Sequence, residues 1–175
     1  MKRRLLLLIP LLVFAVLVVF LYQGLFKDPA GRESAMIAKP FPTFALSTLD
    51  DPDRRLDLSL LRGEVMLVNV WGEWCPVCKQ EMPQLHELAN RGVRLVGVDY
   101  KDTRRQGRAF LDTYGDPFEV SLFDAEGSLG FDLGVYGAPE SFIVDADGII
   151  RYHHTGYITP EDVERVILPE IGRWQ

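Results

Sequence analysis

The stretch 71–83, WGEWCPVCKQEMP, constrains this chain more than any other. It holds both cysteines of the sequence, Cys75 and Cys78, as a C-x-x-C. Ahead of it an apolar run, residues 65–71, reads as a strand buried on both faces. Behind it residues 79–89 read as an amphipathic helix with Met82, Leu85 and Leu88 inward, bent at Pro83. The cysteines therefore sit where a strand turns into a helix.

That position sets their chemistry. The first N–H groups of a helix have no intrahelical partner and carry the positive end of its dipole. A sulfur placed there is stabilised as thiolate, the nucleophilic form. Cys75 is expected at or just before the first turn, with Pro76 at the first helical position, where a missing N–H costs nothing. Cys78 is expected one turn on, facing inward and within reach of a disulfide. Cys75 then reads as the attacking thiol and Cys78 as the resolving one. The Cys75–Cys78 dithiol is itself the redox group, and no bound cofactor is expected. Two blander readings are weaker: a structural bridge closing so short a loop removes little chain entropy, and two thiolates are half of a four-cysteine zinc site. No metal site is assigned.

The remaining segments alternate in type. Residues 93–100 form a second apolar strand, and strand–helix–strand implies a parallel pair with a right-handed crossover. Residues 103–114 read as a helix stopped by Gly115-Asp116-Pro117, 120–123 as a short strand, and 127–133 as a small helix or turn. Residues 140–144 and 149–154 flank Asp145-Ala146-Asp147-Gly148, whose Asp-Gly marks an antiparallel hairpin. Thr159-Pro160-Glu161-Asp162 opens a last helix with a hydroxyl cap and proline at the first position; Val163, Val166 and Ile167 are its buried stripe. Ahead of the core, 41–46 and 54–58 read as strands joined by an Asp-rich turn around Asp50-Asp51-Pro52-Asp53, and 58–61 as a helical turn. The fold class is α/β, a central mixed sheet flanked by helices.

The N-terminus differs in kind. Residues 1–4 are basic, and 5–22 are almost wholly apolar, broken by Pro10; with Leu25 and Phe26 the run approaches the ~20 residues of a spanning helix. Cations ahead of the span place that end in the cytoplasm and the rest outside. A cleaved signal peptide would have a shorter core and a small-x-small site, which Phe26-Lys27-Asp28 does not supply. The expected organisation is a cytoplasmic basic N-terminus (1–4), a transmembrane signal anchor (5–26), a tether (27–39) and one folded domain (40–175). The chain has 19 Lys+Arg and 25 Asp+Glu; without Lys2, Arg3 and Arg4, 16 cations remain and the net is −9. That balance argues against nucleic acid or an anionic lipid surface as partner.

Trp74-Cys75-Pro76-Val77-Cys78-Lys79 after a buried strand resembles a thioredoxin-like active site. Gly134-Val135-Tyr136-Gly137-Ala138-Pro139-Glu140 resembles the GVYGxPE segment of the CcmG/DsbE family, membrane-tethered thiol–disulfide oxidoreductases of cytochrome c maturation. Val98-Asp99-Tyr100-Lys101-Asp102 and Ser121-Leu122-Phe123-Asp124 are similar to that family too, and the likeness runs in order over about residues 40–170. It implies a thioredoxin-like fold with an N-terminal β-hairpin extension and a small central insert, held in the inner membrane with its catalytic domain in the periplasm.

The resemblance also implies roles at the site. Ala138–Pro139 would be cis and face the disulfide, beside backbone that pairs with a substrate strand. Trp74 would flank the sulfur and shield it, and Tyr136 would line the groove next to Ala138 and Pro139; the plainer reading of Tyr136 is a loop aromatic covering core. Glu73 and Glu140 are expected near Cys75, where negative charge raises a thiol pKa. Asn69 stands where ordinary thioredoxins have a buried aspartate, so the proton for Cys78 has to come from elsewhere, with Glu140 through water as the candidate. Trp71 reads as core, and His86, His153 and His154 as surface. The implied substrate is apocytochrome c, whose C-x-x-C-H must be reduced before haem attachment. The implied electron donor is a membrane thiol carrier of the DsbD/CcdA type, with other cytochrome c maturation proteins as further partners. Two alternatives stand beside this: a general TlpA/ResA-like reductase, and a non-enzymatic copper chaperone using both thiolates and a histidine such as His153.

Overall fold

The computed structural model describes residues 2–25 and 35–175, with side chains at position 10, positions 12–22 and from 35 onward. It divides into two compact units, Met1–Arg32 and Glu33–Gln175. The first contains α1 (Lys2–Leu25), with Pro10 inside it. Among the described residues no helix is long and apolar enough to cross a membrane. Phe26 of the expected anchor and residues 27–34 of the expected tether lie outside the described residues.

The second unit begins with a hairpin, β1 (Ala45–Ser47) and β2 (Arg55–Asp57), paired antiparallel. Pairing is confined to three residues on each side, shorter than the sequence suggests. Phe41 is the reason on the first strand: it turns into the core, and its N–H donates to Gly148 O at 2.8 Å. A 3-10 turn, Leu58–Leu61, follows, capped by the Asp57 side chain accepting from Ser59 N.

The main sheet rests on β3 (Met66–Trp71), buried at every position. Then come α2 (Cys78–Asn90), β4 (Arg94–Tyr100), α3 (Arg104–Tyr114), β5 (Val120–Asp124), α4 (Ser128–Asp132), β6 (Glu140–Val144) and β7 (Ile150–Thr155). The chain closes with α5 (Pro160–Asp162), a π turn (Val163–Ile167) and α6 (Leu168–Trp174). The strand order is β5-β4-β3-β6-β7. β3 pairs parallel with β4 and antiparallel with β6, and β6–β7 is the Asp-Gly hairpin. This is the thioredoxin-like α/β architecture.

Strand alternation decides what meets the active-site helix. Met66, Val68 and Val70 pack with Phe41, Leu61, Leu129 and Leu133 on one face. Leu67 and Trp71 pack with Met82, Leu85, Leu88 and Phe110 on the other. Trp71 is core as expected, stacked on Phe110 at 5.1 Å and Phe118 at 5.9 Å. Asn69 falls on that second face, so its amide is aimed at α2.

Candidate active site

The chain leaves β3 at Trp71 and turns through residues 72–77. Cys75 N donates to Gly72 O at 3.1 Å, closing the turn. Cys78 N then donates to Cys75 Sγ at 3.0 Å, and Val77 already has helical dihedrals. Val77 is the N-cap of α2, so Pro76 lies in the turn ahead of the helix rather than at its first position, and Cys75 Sγ accepts the N–H of the first helical residue. The two cysteines are joined as a disulfide, Cα to Cα 5.4 Å. Cys78 faces inward as expected. Cys75 is covered to the same degree, each being 1% exposed. The cover is a loop from the other side of the sheet: Cys75 Sγ lies 3.3 Å from the carbonyl oxygen of Ala138. Exposed Trp74, Pro76 and Val77 form the rim.

That covering loop holds the remaining residues singled out by resemblance. Ala138–Pro139 is cis. Pro139 O accepts from Gly156 N at 3.0 Å, and Glu140 opens β6. Glu140 is buried and fully engaged. Its Oε1 accepts from Tyr136 N at 3.0 Å and Gly137 N at 3.4 Å, and its Oε2 lies 2.7 Å from His153 Nε2. Glu140, one of the two acids expected to tune Cys75, thus holds the loop above it. Tyr136 projects wholly into solvent and covers no core. His153 is not a surface histidine: its ring stacks on Phe142 at 4.3 Å.

On the opposite flank, Trp74 is 46% exposed, and its Nε1 donates to Tyr100 O at 2.9 Å. The indole thus swings back over Gly72, where an added Cβ would meet Nε1 at 2.5 Å. Glu73 lies on this flank too. Its N–H donates to Asp102 Oδ2 at 2.7 Å, and its carboxylate accepts from Gln106 Nε2 at 3.4 Å, toward α3. Behind the loop Asp99 is completely buried against Gly107. Burial first, and the neighbouring Asp102 carboxylate second, push it up to about 8.

The acid that sequence reasoning passed over is Glu81. It lies one turn after Cys78 on the same buried face of α2, three residues apart, the spacing that makes helix neighbours. Asn69 Nδ2 donates to Glu81 Oε1 at 2.9 Å and to Ser141 Oγ at 3.0 Å; Ile158 N donates to Glu81 Oε2 at 3.1 Å. Burial raises its carboxyl to about 7 against these hydrogen bonds. A carboxyl poised there both takes and gives a proton at neutral pH. The buried acid missing from the strand at Asn69 has in effect moved across to the helix. Two signals together could have located it: an acid inside the apolar stripe of α2, and an amide where the strand usually supplies the carboxylate.

The arrangement suits thiol–disulfide exchange: a sulfur accepting the first N–H of a helix, a second sulfur behind it, and a buried carboxyl one turn further on. Among the described residues, no group of three or more His, Cys, Asp or Glu side chains could hold a metal. The redoxin family model matches residues 36–167. The chain is 47% identical over 156 residues to the thiol:disulfide interchange protein DsbE of Pseudomonas aeruginosa, covering 89% of this chain and 87% of that one. To the DsbE of Escherichia coli K12 it is 45% identical over 175 residues, covering 97% and 94%. Among solved structures, a Chlorobium tepidum chain assigned as a thiol:disulfide interchange protein DsbE superposes with a TM-score of 0.66 at 28% identity, covering 78% of this chain and 98% of that one.

Proposed function

The chain belongs to the DsbE/CcmG family of redoxin-domain proteins and is a thiol–disulfide oxidoreductase, and from that premise we propose that it is a membrane-tethered reductase of apocytochrome c. The observation that carries the exchange chemistry is Cys75 Sγ accepting the first N–H of α2, with the Ala138 carbonyl of the proline loop 3.3 Å away.

In the cycle, the Cys75 thiolate attacks one sulfur of a target disulfide. That bond breaks, the other target sulfur leaves as thiolate, and Cys75 is joined to the target as a mixed disulfide. Glu81 takes the proton of Cys78. The Cys78 thiolate attacks Cys75 Sγ, and the target's second sulfur leaves. The target has gained two electrons and takes up two protons; the enzyme is left as Cys75–Cys78. A dithiol carrier of the DsbD/CcdA type restores it by the same exchange in reverse. The Ala138–Pro139 backbone lies against the sulfur that the target must approach, and Trp74, next to Cys75 in the chain, and Tyr136, in the proline loop, offer exposed aromatic surface.

Support for the tether is the basic stretch 1–4 followed by the apolar run 5–22, a charge order that favours a catalytic domain on the periplasmic side. The haem-attachment target is supported by family membership alone, so it needs its own test. Cells making Cys78→Ala are expected to accumulate a covalent adduct at Cys75 whose partner, by mass spectrometry, carries C-x-x-C-H. Recovery of assorted secreted proteins instead points to a general TlpA/ResA-like reductase. The copper-chaperone alternative is less well supported, since His153 Nε2 is already committed to Glu140.

A further inference from the structure

Resting on that reading of the site, we propose that His153 is a positioning residue for the reaction: through Glu140 it fixes the proline loop that lies over Cys75. Ala138 packs against the core beside Cys75, but Tyr136 and Gly137 have little else to hold them. Val135 is tied by its N–H to Gly130 O at 2.8 Å, and Pro139 O accepts from Gly156 N at 3.0 Å, so the loop is fastened at both ends. Between those ends Tyr136 is wholly exposed, Gly137 has no side chain, and nothing lies within 4 Å of where its Cβ would be. What grips the middle is Glu140 Oε1, accepting the Tyr136 and Gly137 N–H groups.

Glu140 does this because His153 holds its other oxygen. Nε2 lies 2.7 Å from Oε2, with the two side chains 11% and 4% exposed, so the contact is nearly dry. A hydrogen bond to a carboxylate in such surroundings is stronger than the same bond in water. The imidazole cannot swing away: it stacks on Phe142 at 4.3 Å with planes 11° apart, and the two residues are register partners on β7 and β6. The line runs from the core at Phe142 through His153 and Glu140 to the loop backbone, and ends at Ala138 O, 3.3 Å from Cys75 Sγ. Freeing the loop lets that carbonyl wander and blurs the backbone edge that a substrate strand has to meet beside the sulfur.

The test replaces the donor but keeps the stack. In His153→Phe, amide hydrogen exchange at Tyr136 and Gly137 is expected to speed up about tenfold, the loss of one good hydrogen bond to a charged group. Val135, Ser141 and Phe142 should keep their wild-type protection. The rate of mixed-disulfide formation with an oxidised C-x-x-C-H peptide should fall by a similar factor. His153→Gln, which returns an N–H at about the reach of Nε2, should restore both. His153→Leu serves if the phenylalanine variant does not fold. Faster exchange spread evenly over β6 and β7, unchanged exchange at Tyr136 and Gly137, or faster exchange with an unchanged rate would each overturn the proposal. Failure of the wild-type Cys75–Cys78 pair to exchange with the peptide at all would instead count against the functional reading, because His153 does not enter that control.

Discussion

Glu81 and Asp99 are carboxyls kept dry by the fold, and burial holds both far above the ordinary range near 4: Glu81 at about 7, Asp99 at about 8. The sign of their effect on stability follows directly. Each binds its proton more tightly folded than unfolded, so each contributes fully below about pH 4 and loses that contribution as pH rises through its folded value. For Glu81 the ceiling is about 3 kcal/mol. Asp145 and Asp162 have the opposite sign. Burial opposes them, but hydrogen bonds from Ile149 N–H and Arg151 to Asp145, and from Thr159 to Asp162, hold them below the usual range. Their contribution is lost as pH falls below about 4. The urea midpoint is therefore expected to peak near pH 5 and decline toward pH 9, with the decline between pH 5 and 7 shallower in Glu81→Gln. A midpoint that climbs from pH 5 to pH 8 would contradict the protonated state assigned to these two groups.

Elements bordered by strong local chemistry could be read directly. The apolar runs at β3 and β4, the Asp-Gly turn between β6 and β7 and the Thr159 cap all stand where the residues suggest. Thr159 forms a full capping box, its hydroxyl accepting from Asp162 N and the Asp162 carboxylate accepting from Thr159 N. Thr159→Ala should cost about 1 kcal/mol and lower the melting temperature by about 3 °C, read by calorimetry, with thiol exchange unchanged. Other features depend on partners distant in sequence and left no local mark. The π turn at Val163–Ile167 follows a helix start that reads as ordinary α-helix. The hairpin strands are shortened because Phe41 finds a place in the core. At the site, Cys75 and Cys78 were plain from spacing, whereas the engagement of Glu140 by His153 joins positions 13 apart on two strands, and Glu81 meets Ile158 across 77 residues. An acidic residue on an exposed-looking helix shows its burial only once the strand bearing Asn69 lies beneath it.

Across the whole molecule, the site collects at one end of the sheet. There β3 and β4 finish, β6 begins, and the loops carrying Cys75, Asp102 and Ala138 meet. The chain unfolded keeps the C-x-x-C but loses the helix-start N–H, the cover and the buried acid, so the reactivity belongs to the fold. The body is acidic at −9 outside the first four residues, which suits a protein partner better than nucleic acid or an anionic membrane surface. The division of labour between the two sulfurs can be measured on the purified protein. Reduced Cys78→Ala, mixed with an oxidised C-x-x-C-H peptide and examined by intact mass, should gain one peptide through Cys75, while Cys75→Ala should gain none on the same time scale. Equal labelling of Cys75→Ala through Cys78, or no adduct from folded Cys78→Ala, would contradict the account.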